Sequence, residues 1–579
     1  MSGPARIEEV DPGHLARLLE RIKPVVSAED YVLVEKIVTS LLWLTKLVRA
    51  RETTIGRLRR LVGGGGSEKT AAVTAAKAPA GAGTEDPQDP DGAGGGASQG
   101  AGDPAASGGL PPGGPAAGPA NPARTKRKGH GRLAGAAYPD AVHIPVPHEG
   151  LCIGDRCPGC VRGTLFALAE PAQFLRIIGQ APLAALCWDC QRLRCSACGA
   201  VYTALAPEQA RGDKYDETAV SMLALLRYGL GVPSHRLEQL QRDLRTPVPA
   251  STQWEAVEER VSGVEPACQE LIRQAAQGTV FHVDDSSVRI LELVGKRRAA
   301  RVAQGKLEHP ERTGLHTTAV VSLTREGRKI AIVVSGRQHA GENLSDLLDK
   351  REPHLPPPIQ MSDALACNTP KEHEVVESFC LVHARRNFVE ELESFPEEGR
   401  HVLEELGRVF KVDDQCRLKQ LSAQERLQTH QQESRPIMDA LRAWMKAGLD
   451  EKRVEPNSGL GKAFNYMLKR WDELTVFLRL AGAPLENNEA ERLLKMAIRH
   501  RNNSLFFRTQ HGADVADVYM TLIYTTQLHG ENPFEYLTAL QRHARQVAQT
   551  PAAWLPWNYR DTLRLTAERQ ASDSFSRAA

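Results

Sequence analysis

A chain of 579 residues is too long for one ordinary apolar core and divides into several modules of roughly 100–200 residues. An apolar share of 41% and a charged share of 25% exclude wholesale disorder, and no window approaches the roughly 18 uncharged apolar residues of a membrane span. Lys and Arg outnumber Asp and Glu by only 73 to 71, so any nucleic-acid surface has to be local, and without a charged-then-apolar leader the expected location is the cytoplasm.

Residues 1–62 read as a leucine-zipper-like coiled coil. Val34, Leu41, Val48, Ile55 and Val62 recur at every seventh position, with Ile37, Leu44 and Leu58 in the partner stripe and Arg51 interrupting it. An amphipathic helix packed on its own protein is the other reading. Residues 63–121 are expected to be a disordered linker. Gly, Ala and Pro fill 40 of the 58 positions from Gly63 to Ala120, with no aromatic residue to repay the entropy of ordering. Such a tether has an r.m.s. span of about 40–45 Å.

Residues 122–208 combine a basic arm with a cysteine module. Arg124, Lys126, Arg127, Lys128 and Arg132, spaced by Gly129 and Gly131, suit a DNA backbone or minor groove, although solvated charge runs are common. Seven of the eleven cysteines fall between Cys152 and Cys198, which in a chain of this kind reads as thiolate metal ligation rather than disulfides. Cys157-Pro-Gly-Cys160 and Cys195-Ser-Ala-Cys198 form two knuckles that would close a tetrahedral site around one structural Zn²⁺. Cys187 and Cys190 are a rival pair that spacing alone does not place.

Residues 209–275 are helical in pattern. Asp216–Tyr228 carries Val220, Leu223 and Leu226 at helical spacing, Gly229-Leu-Gly-Val-Pro233 breaks it, and Ser234 and Ser251 or Thr252 are candidate caps of two further helices. The outline is that of a helix-turn-helix, and equally of any three-helix unit.

A β-rich segment begins at residue 279. Thr279–Val283 runs into Asp284-Asp285, a second run covers Ser287–Leu293, and further strands are expected at Thr317–Leu323, Lys329–Ser335, Pro358–Met361 and Ser378–Val382. Asp363 follows one of these strand ends, and Asn487-Asn-Glu-Ala-Glu491-Arg492 opens a helix. Aspartates at the ends of neighbouring strands, joined by a third acid from a helix, suit a pair of divalent ions about 3.5–4 Å apart. Taken singly, each acid also reads as a turn former or helix cap, with Asn488 and Glu491 at capping-box spacing. Residues 276–395 and 484–530 are therefore read as two parts of one catalytic core. They are split by a helical insertion over 396–483 and followed by a C-terminal helical region and tail over 531–579.

These residues resemble the transposases of the insertion sequence 66 family. The resemblance runs from about residue 124 to 560. It rests on the basic Gly-rich run, the two knuckles, Val283-Asp284-Asp285-Ser286 where the family usually has Asp-Glu-Thr, Cys380-Leu-Val-His-Ala-Arg-Arg-Asn-Phe388 and Glu486-Asn-Asn-Glu-Ala-Glu-Arg492. Arg501-Asn-Asn-Ser-Leu-Phe506, Gly530-Glu-Asn-Pro-Phe-Glu-Tyr-Leu537 and Leu555-Pro-Trp-Asn558 complete it. It implies a multidomain α+β chain whose α/β catalytic core is RNase H-like, with a zinc-ribbon-like module, a helix-turn-helix and an N-terminal coiled coil.

It also implies a catalytic triad of Asp284, Asp363 and Glu491, with Glu489 and Glu486 as rivals for the third acid. Two Mg²⁺ or Mn²⁺ ions would be held there. One, between Asp284 and Asp363, would activate water and later a 3′-hydroxyl, and the other, between Asp284 and Glu491, would stabilise the leaving oxygen. His383, Arg385, Arg386, Arg492 and Arg501 are the cations expected on phosphates. The partners implied are double-stranded DNA at element ends and target, a second copy or more of the chain, and accessory proteins of the element. No membrane is implied, and the location becomes nucleoid-associated. A non-catalytic zinc and helix-turn-helix DNA binder and a different RNase H-like nuclease remain alternative readings.

Overall fold

The β-branched runs from residue 279 onward build one mixed sheet: β1 (Val280–Ser287), β2 (His316–Leu323), β3 (Lys329–Gly336), β4 (Ile359–Ser362) and β5 (Val376–Phe379). The sheet is five-stranded, in the order β3-β2-β1-β4-β5. β2 runs antiparallel to both β1 and β3, whereas β4 and β5 run parallel to β1. Central β1 is covered on both faces, so Val280, Phe281, His282 and Val283 are all buried. The computed structural model describes residues 145–578 apart from Glu149, Val161, 169–178, Cys195, Ala197, Gly199, Ala200 and Glu308, together with residues 21–23, Tyr31 and Val34. Those few positions aside, the coiled coil, the linker and the basic arm from Arg124 to Arg132 lie outside the described residues.

Two strand expectations need correction. No strand forms over Ser287–Leu293; β1 instead continues through Asp284 and Asp285 to Ser287, because antiparallel β2 is eight residues long and pairs with it that far. A short 3₁₀ turn at Leu291–Leu293 follows. The strand expected at Ser378–Val382 lies earlier, and Leu381 already begins a helix.

Helices α1 (Glu217–Ala224), α2 (Ser234–Asp243), α3 (Ala250–Glu259) and α4 (Val261–Ala275) precede the sheet. Asp216 caps α1 by accepting from the Ala219 N–H at 2.9 Å. Pro233 and Pro249, not the serines or Thr252, stand at the starts of α2 and α3, and the Ser234 hydroxyl instead accepts from Arg227 at 2.7 Å. α5 (Ala340–Leu348), α6 (Leu381–Glu391), α7 (Pro396–Leu418), α8 (Arg435–Asp450) and α9 (Gly459–Lys469) come next. α10 (Asn488–Ser504), α11 (Gln510–Leu528) and α12 (Pro533–Arg542) lead toward the C-terminal helix.

Two apolar cores result. One contains the sheet with α1, α3, α4, α10, α11 and α12, so the helices of residues 209–275 share the sheet's core instead of building their own. The other packs α6 through α9 and touches the sheet at Val280 and Ile359. Within the second core region, Ser422 and Glu425 form the capping box read from the sequence, with the Ser422 N–H donating to Glu425 at 2.8 Å.

The open edge of β3 is closed by side chains of α11. The outward N–H groups of Ala331, Val333 and Ser335 donate to Thr525 Oγ1 at 3.1 Å, Thr521 Oγ1 at 3.0 Å and Asp517 Oδ2 at 2.6 Å. Four helical residues advance about 6.0 Å and two strand residues about 6.7 Å, so the two ladders keep step over three rungs. An edge that would otherwise invite another strand is thereby satisfied within the chain.

Candidate active site

Asp284 and Asp363 reach one place through strand register. The last paired residues of parallel β1 and β4 are His282 and Met361. Each aspartate lies two residues further on, hence on the same face of the sheet and at the same level of neighbouring strands. Asp284 sits within β1 relative to β2 but beyond the end of the shorter β4, which leaves its side chain beside an open sheet end.

Glu491 arrives from α10, which packs on β1 and β2. The helix start is anchored by Asn487, fully buried, whose amide Nδ2 donates to the Val283 carbonyl at 2.9 Å, one residue before Asp284. The Asn487 N–H also donates to Cys380 Sγ at 3.3 Å, just ahead of α6, and the Leu381 N–H donates to the Leu485 carbonyl at 2.9 Å. One asparagine therefore ties together the strand bearing Asp284, the helix bearing His383 and the helix bearing Glu491.

The electrostatics follow from this crowding. Burial and then the charge of Asp363, with further contributions from Glu491 and Asp285, push the Asp284 carboxyl up to about 7, against one opposing hydrogen bond from the Asp285 N–H at 2.9 Å. Burial raises Asp363 as well, opposed by His383 and by the Asn368 amide that donates to Oδ1. His383 Nδ1 lies 4.0 Å from Glu491 Oε1. Two residues before Asp284 on the same face, burial lowers His282 to about 4, so it stays neutral. Cys380 shares a potential ligand cluster with His383 and Glu491, but burial pushes its thiol up to about 11 and its sulfur already accepts from Asn487.

The other two acids of the Asn-Asn motif have partners elsewhere. Glu489 pairs with Lys329 at 2.9 Å and Arg492 at 3.7 Å, and its carboxyl is held below the ordinary range despite burial, chiefly by the Lys329 hydrogen bond and charge. Glu486 pairs with Arg417 at 3.2 Å. Asp363 and Glu491 both act on Asp284 by like charge, although the oxygens of the three do not all lie within 4.8 Å of one another; carboxylate oxygens are donors of the kind that suits Mg²⁺ or Mn²⁺.

The expected phosphate-binding cations separate into groups. Arg386 is exposed on α6, and Arg492 is exposed on α10. Arg501 Nη1 donates to the Ser286 hydroxyl at 2.9 Å and the Ser287 hydroxyl at 3.0 Å, which pins the end of β1. Arg385 is 4% exposed, and its place inside α6's packing removes it from a phosphate-facing surface. The sequence reading missed Asn487 and Asn368. The first was legible only as a possible helix cap, and nothing in spacing links Asn368 to Asp363.

In the cysteine module, Cys157 and Cys160 lie in the loop closed by the Arg156–Thr164 bridge, with the Cys157 N–H donating to the Gly163 carbonyl at 2.8 Å. The Gly163 and Arg162 N–H groups and the Cys157 thiol lower the Cys160 thiol. An antiparallel pair, Arg192–Arg194 with Val201–Thr203, brackets the segment of Cys198. Cys195 lies outside the described residues. Cys187 is exposed, with its thiol 3.8 Å from an Asp189 oxygen, and Cys190 is half-buried.

Comparison with known proteins accords with this arrangement. Residues 213–515 match the family described as "Transposase IS66 family", a span that contains Asp284, Asp363 and Glu491 and excludes the cysteine module. Two curated relatives from Sinorhizobium fredii (strain NBRC 101917 / NGR234) are similar. The uncharacterized protein y4hP is 30% identical over 213 residues, 34% of this chain and 38% of the relative. The uncharacterized protein y4jD is 31% identical over 189 residues, 32% of this chain and 36% of the relative. The chain thus spans well under half the length of either. No solved structure matches significantly. Among the described residues no helix is long and apolar enough to cross a membrane. With more than half of its length matched, the chain belongs to the IS66 family of transposases.

Proposed function

We propose that the chain is a DDE transposase that cuts DNA at the ends of its element and joins the freed 3′ ends to target DNA. The observation that most supports the reading is the register that brings Asp284 and Asp363 to the same level of neighbouring strands, with the helix of Glu491 packed on β1 and the charges of Asp363 and Glu491 acting on Asp284. A cluster that is electrostatically unfavourable when empty is well suited to bind cations. Two divalent ions held there would polarise a phosphodiester and lower the pKa of an attacking water or hydroxyl. Asp284 would be shared between the ions, with Asp363 and Glu491 completing one side each. Asn368 orients Asp363, and Asn487 fixes the spacing of Asp284 from α10. His383, Arg386 and Arg492 lie on the two helices flanking the acids and would meet DNA phosphates.

The antiparallel-then-parallel strand order supports an RNase H-like core, and the α1–α3 region is read as part of that body with a helix-turn-helix outline. A zinc-ribbon-like role for Cys157, Cys160, Cys195 and Cys198 is supported by a different fact. Among the described residues 145–208, Leu183 is the one buried apolar side chain, so little but a metal would hold the module together. Dimerisation through residues 1–62 and DNA contact by Arg124–Arg132 complete the proposal.

The test supplies purified full-length protein with element-end DNA and Mg²⁺ or Mn²⁺. Cleavage and strand transfer are expected in the wild type, and neither in Asp284→Asn, Asp363→Asn or Glu491→Gln, while end binding survives. Binding without metal-dependent cleavage in the wild type would leave a DNA binder, and cleavage without joining would leave a nuclease.

A further inference from the structure

On the opposite side of β1 from Asp284, four side chains of other chemistry converge. Asp285 Oδ2 lies 3.2 Å from His339 Nδ1 and 3.8 Å from His316 Nδ1. The two imidazole rings face each other with centroids 3.9 Å apart. Donor atoms of Asp285, His339 and Cys367 all lie within 4.8 Å of one another. Four separate elements supply these groups: the end of β1, the start of β2, the residue before α5 and the 3₁₀ turn Ala366–Asn368 that follows Asp363.

The backbone is shaped to allow the convergence. A Cβ at Gly341 would fall 2.5 Å from the Thr369 carbonyl oxygen and 2.8 Å from that of Cys367, so α5 can approach the cysteine's turn only with glycine there. A Cβ at Gly314 would fall 2.7 Å from His316 Nε2, so glycine also leaves room for that ring.

Tetrahedral coordination with bonds of about 2.0–2.3 Å places neighbouring ligand atoms about 3.3–3.8 Å apart. The two Asp285–histidine separations span that range, and among Asp285, His339 and Cys367 no pair has to close by more than about 1 Å, whereas His316 reaches the group through Asp285 and has to swing toward the thiol to complete it. A mixed sulfur, imidazole and carboxylate set selects a borderline ion such as Zn²⁺ over Mg²⁺. We propose that Asp285, His316, His339 and Cys367 form a binding site for a Zn²⁺-class transition-metal ion, separate from both the crowded carboxylates and the cysteine knuckles. Four protein ligands leave no open position, so the ion cross-links rather than catalyses. It ties the strand next to Asp284 to the turn whose Asn368 holds Asp363. The inference does not depend on the transposase reading, because its test reads metal and thiol alone.

The test uses alkylation of individual cysteines in the intact chain, read by peptide mass spectrometry. With zinc supplied, Cys367 is expected to react at least about tenfold more slowly than after EDTA, and Mg²⁺ alone is expected to give no protection. His316→Gln and His339→Gln, with circular dichroism unchanged, are expected to lose that protection while Cys157 and Cys160 remain protected. Equal alkylation of Cys367 with zinc and with EDTA in the wild type would overturn the site, with no variant required. Protection that persists in both folded histidine variants would overturn it too, because zinc would then be acting through the knuckles.

Discussion

Two places where α-helices meet the sheet treat a buried or half-buried aspartate in opposite ways. On β3, burial pushes Asp517 up to about 8, but its oxygens accept from the Ser335 N–H at 2.6 Å and the Ser335 hydroxyl at 2.8 Å. At the end of β1, Asp284 is raised to about 7 by burial and by other acids, and its one hydrogen bond comes from the adjacent Asp285 backbone. The first site is complete as it stands. The second has one backbone hydrogen bond and is pressed by like charge. Burial alone therefore does not mark function; the absence of a neutralising partner does.

The widest separation between the two sites is expected from charge removal. Asp284→Asn, Asp363→Asn or Glu491→Gln should each cut cleavage by about 10³-fold or more, some 4 kcal/mol of transition-state stabilisation. The melting temperature of the metal-free protein should hold or rise, since an amide removes like-charge repulsion. Scanning calorimetry of Asp284→Asn beside the wild type checks this, and a lower melting temperature would mean that the carboxylate is a structural group like Asp517.

Both raised aspartates make the metal-free fold prefer protons. Their folded values lie above the ordinary carboxylate value of 3.8, so the native state binds more protons across the interval up to about 7 for Asp284 and about 8 for Asp517. Their contribution is fully present below about pH 4 and is lost as pH rises through 7 and 8. Denaturant unfolding should accordingly show less stability at pH 8.5 than at pH 6. Millimolar Mg²⁺ should restore the Asp284 part alone, and the restoration should vanish in Asp284→Asn.

Asp517→Ala is expected to cost about 1–3 kcal/mol, because it strands the Ser335 N–H inside the protein and leaves the Ser335 hydroxyl with Thr317 alone. Cleavage per folded molecule should not change. Asn487→Ala is expected to behave in the mixed manner of a positioning residue. It leaves the Val283 carbonyl without its donor and should cut activity by about 10–100-fold, with a raised Mg²⁺ requirement that a purely structural loss would not produce.

How much of this was legible beforehand varies with the physical range of the signal. The strands at β2, β3 and β4 were readable within a residue or two, because β-branched runs and a Glu-Gly turn are local. β1 was cut short because a double aspartate looks like a terminator, and a long antiparallel partner overrode that preference. The grouping of the acids was expected from strand ends and a helix start taken together, and then from the resemblance, since no local pattern ties Asp284 to a residue more than 200 positions later. The buried anchors Asn487 and Asn368 were invisible for the same reason. Arg385 and Arg386 could not be told apart by composition, yet helical rotation buries one and exposes the other.

The smallest expected effects are the most useful for naming the third acid. Glu486→Gln breaks a pair with Arg417 and Glu489→Gln breaks one with Lys329, each worth about 1 kcal/mol or less, so cleavage should stay within about fivefold of wild type. Glu489 and Glu491 are two residues apart on α10, which turns about 100° per residue, so their side chains leave the helix some 160° apart. One helix orientation cannot present both to Asp284. If Glu489→Gln abolished cleavage while Glu491→Gln kept it, α10 would have to rotate by nearly half a turn. That rotation would tear the Asn487 amide from the Val283 carbonyl, and Asn487→Ala should then increase activity rather than reduce it.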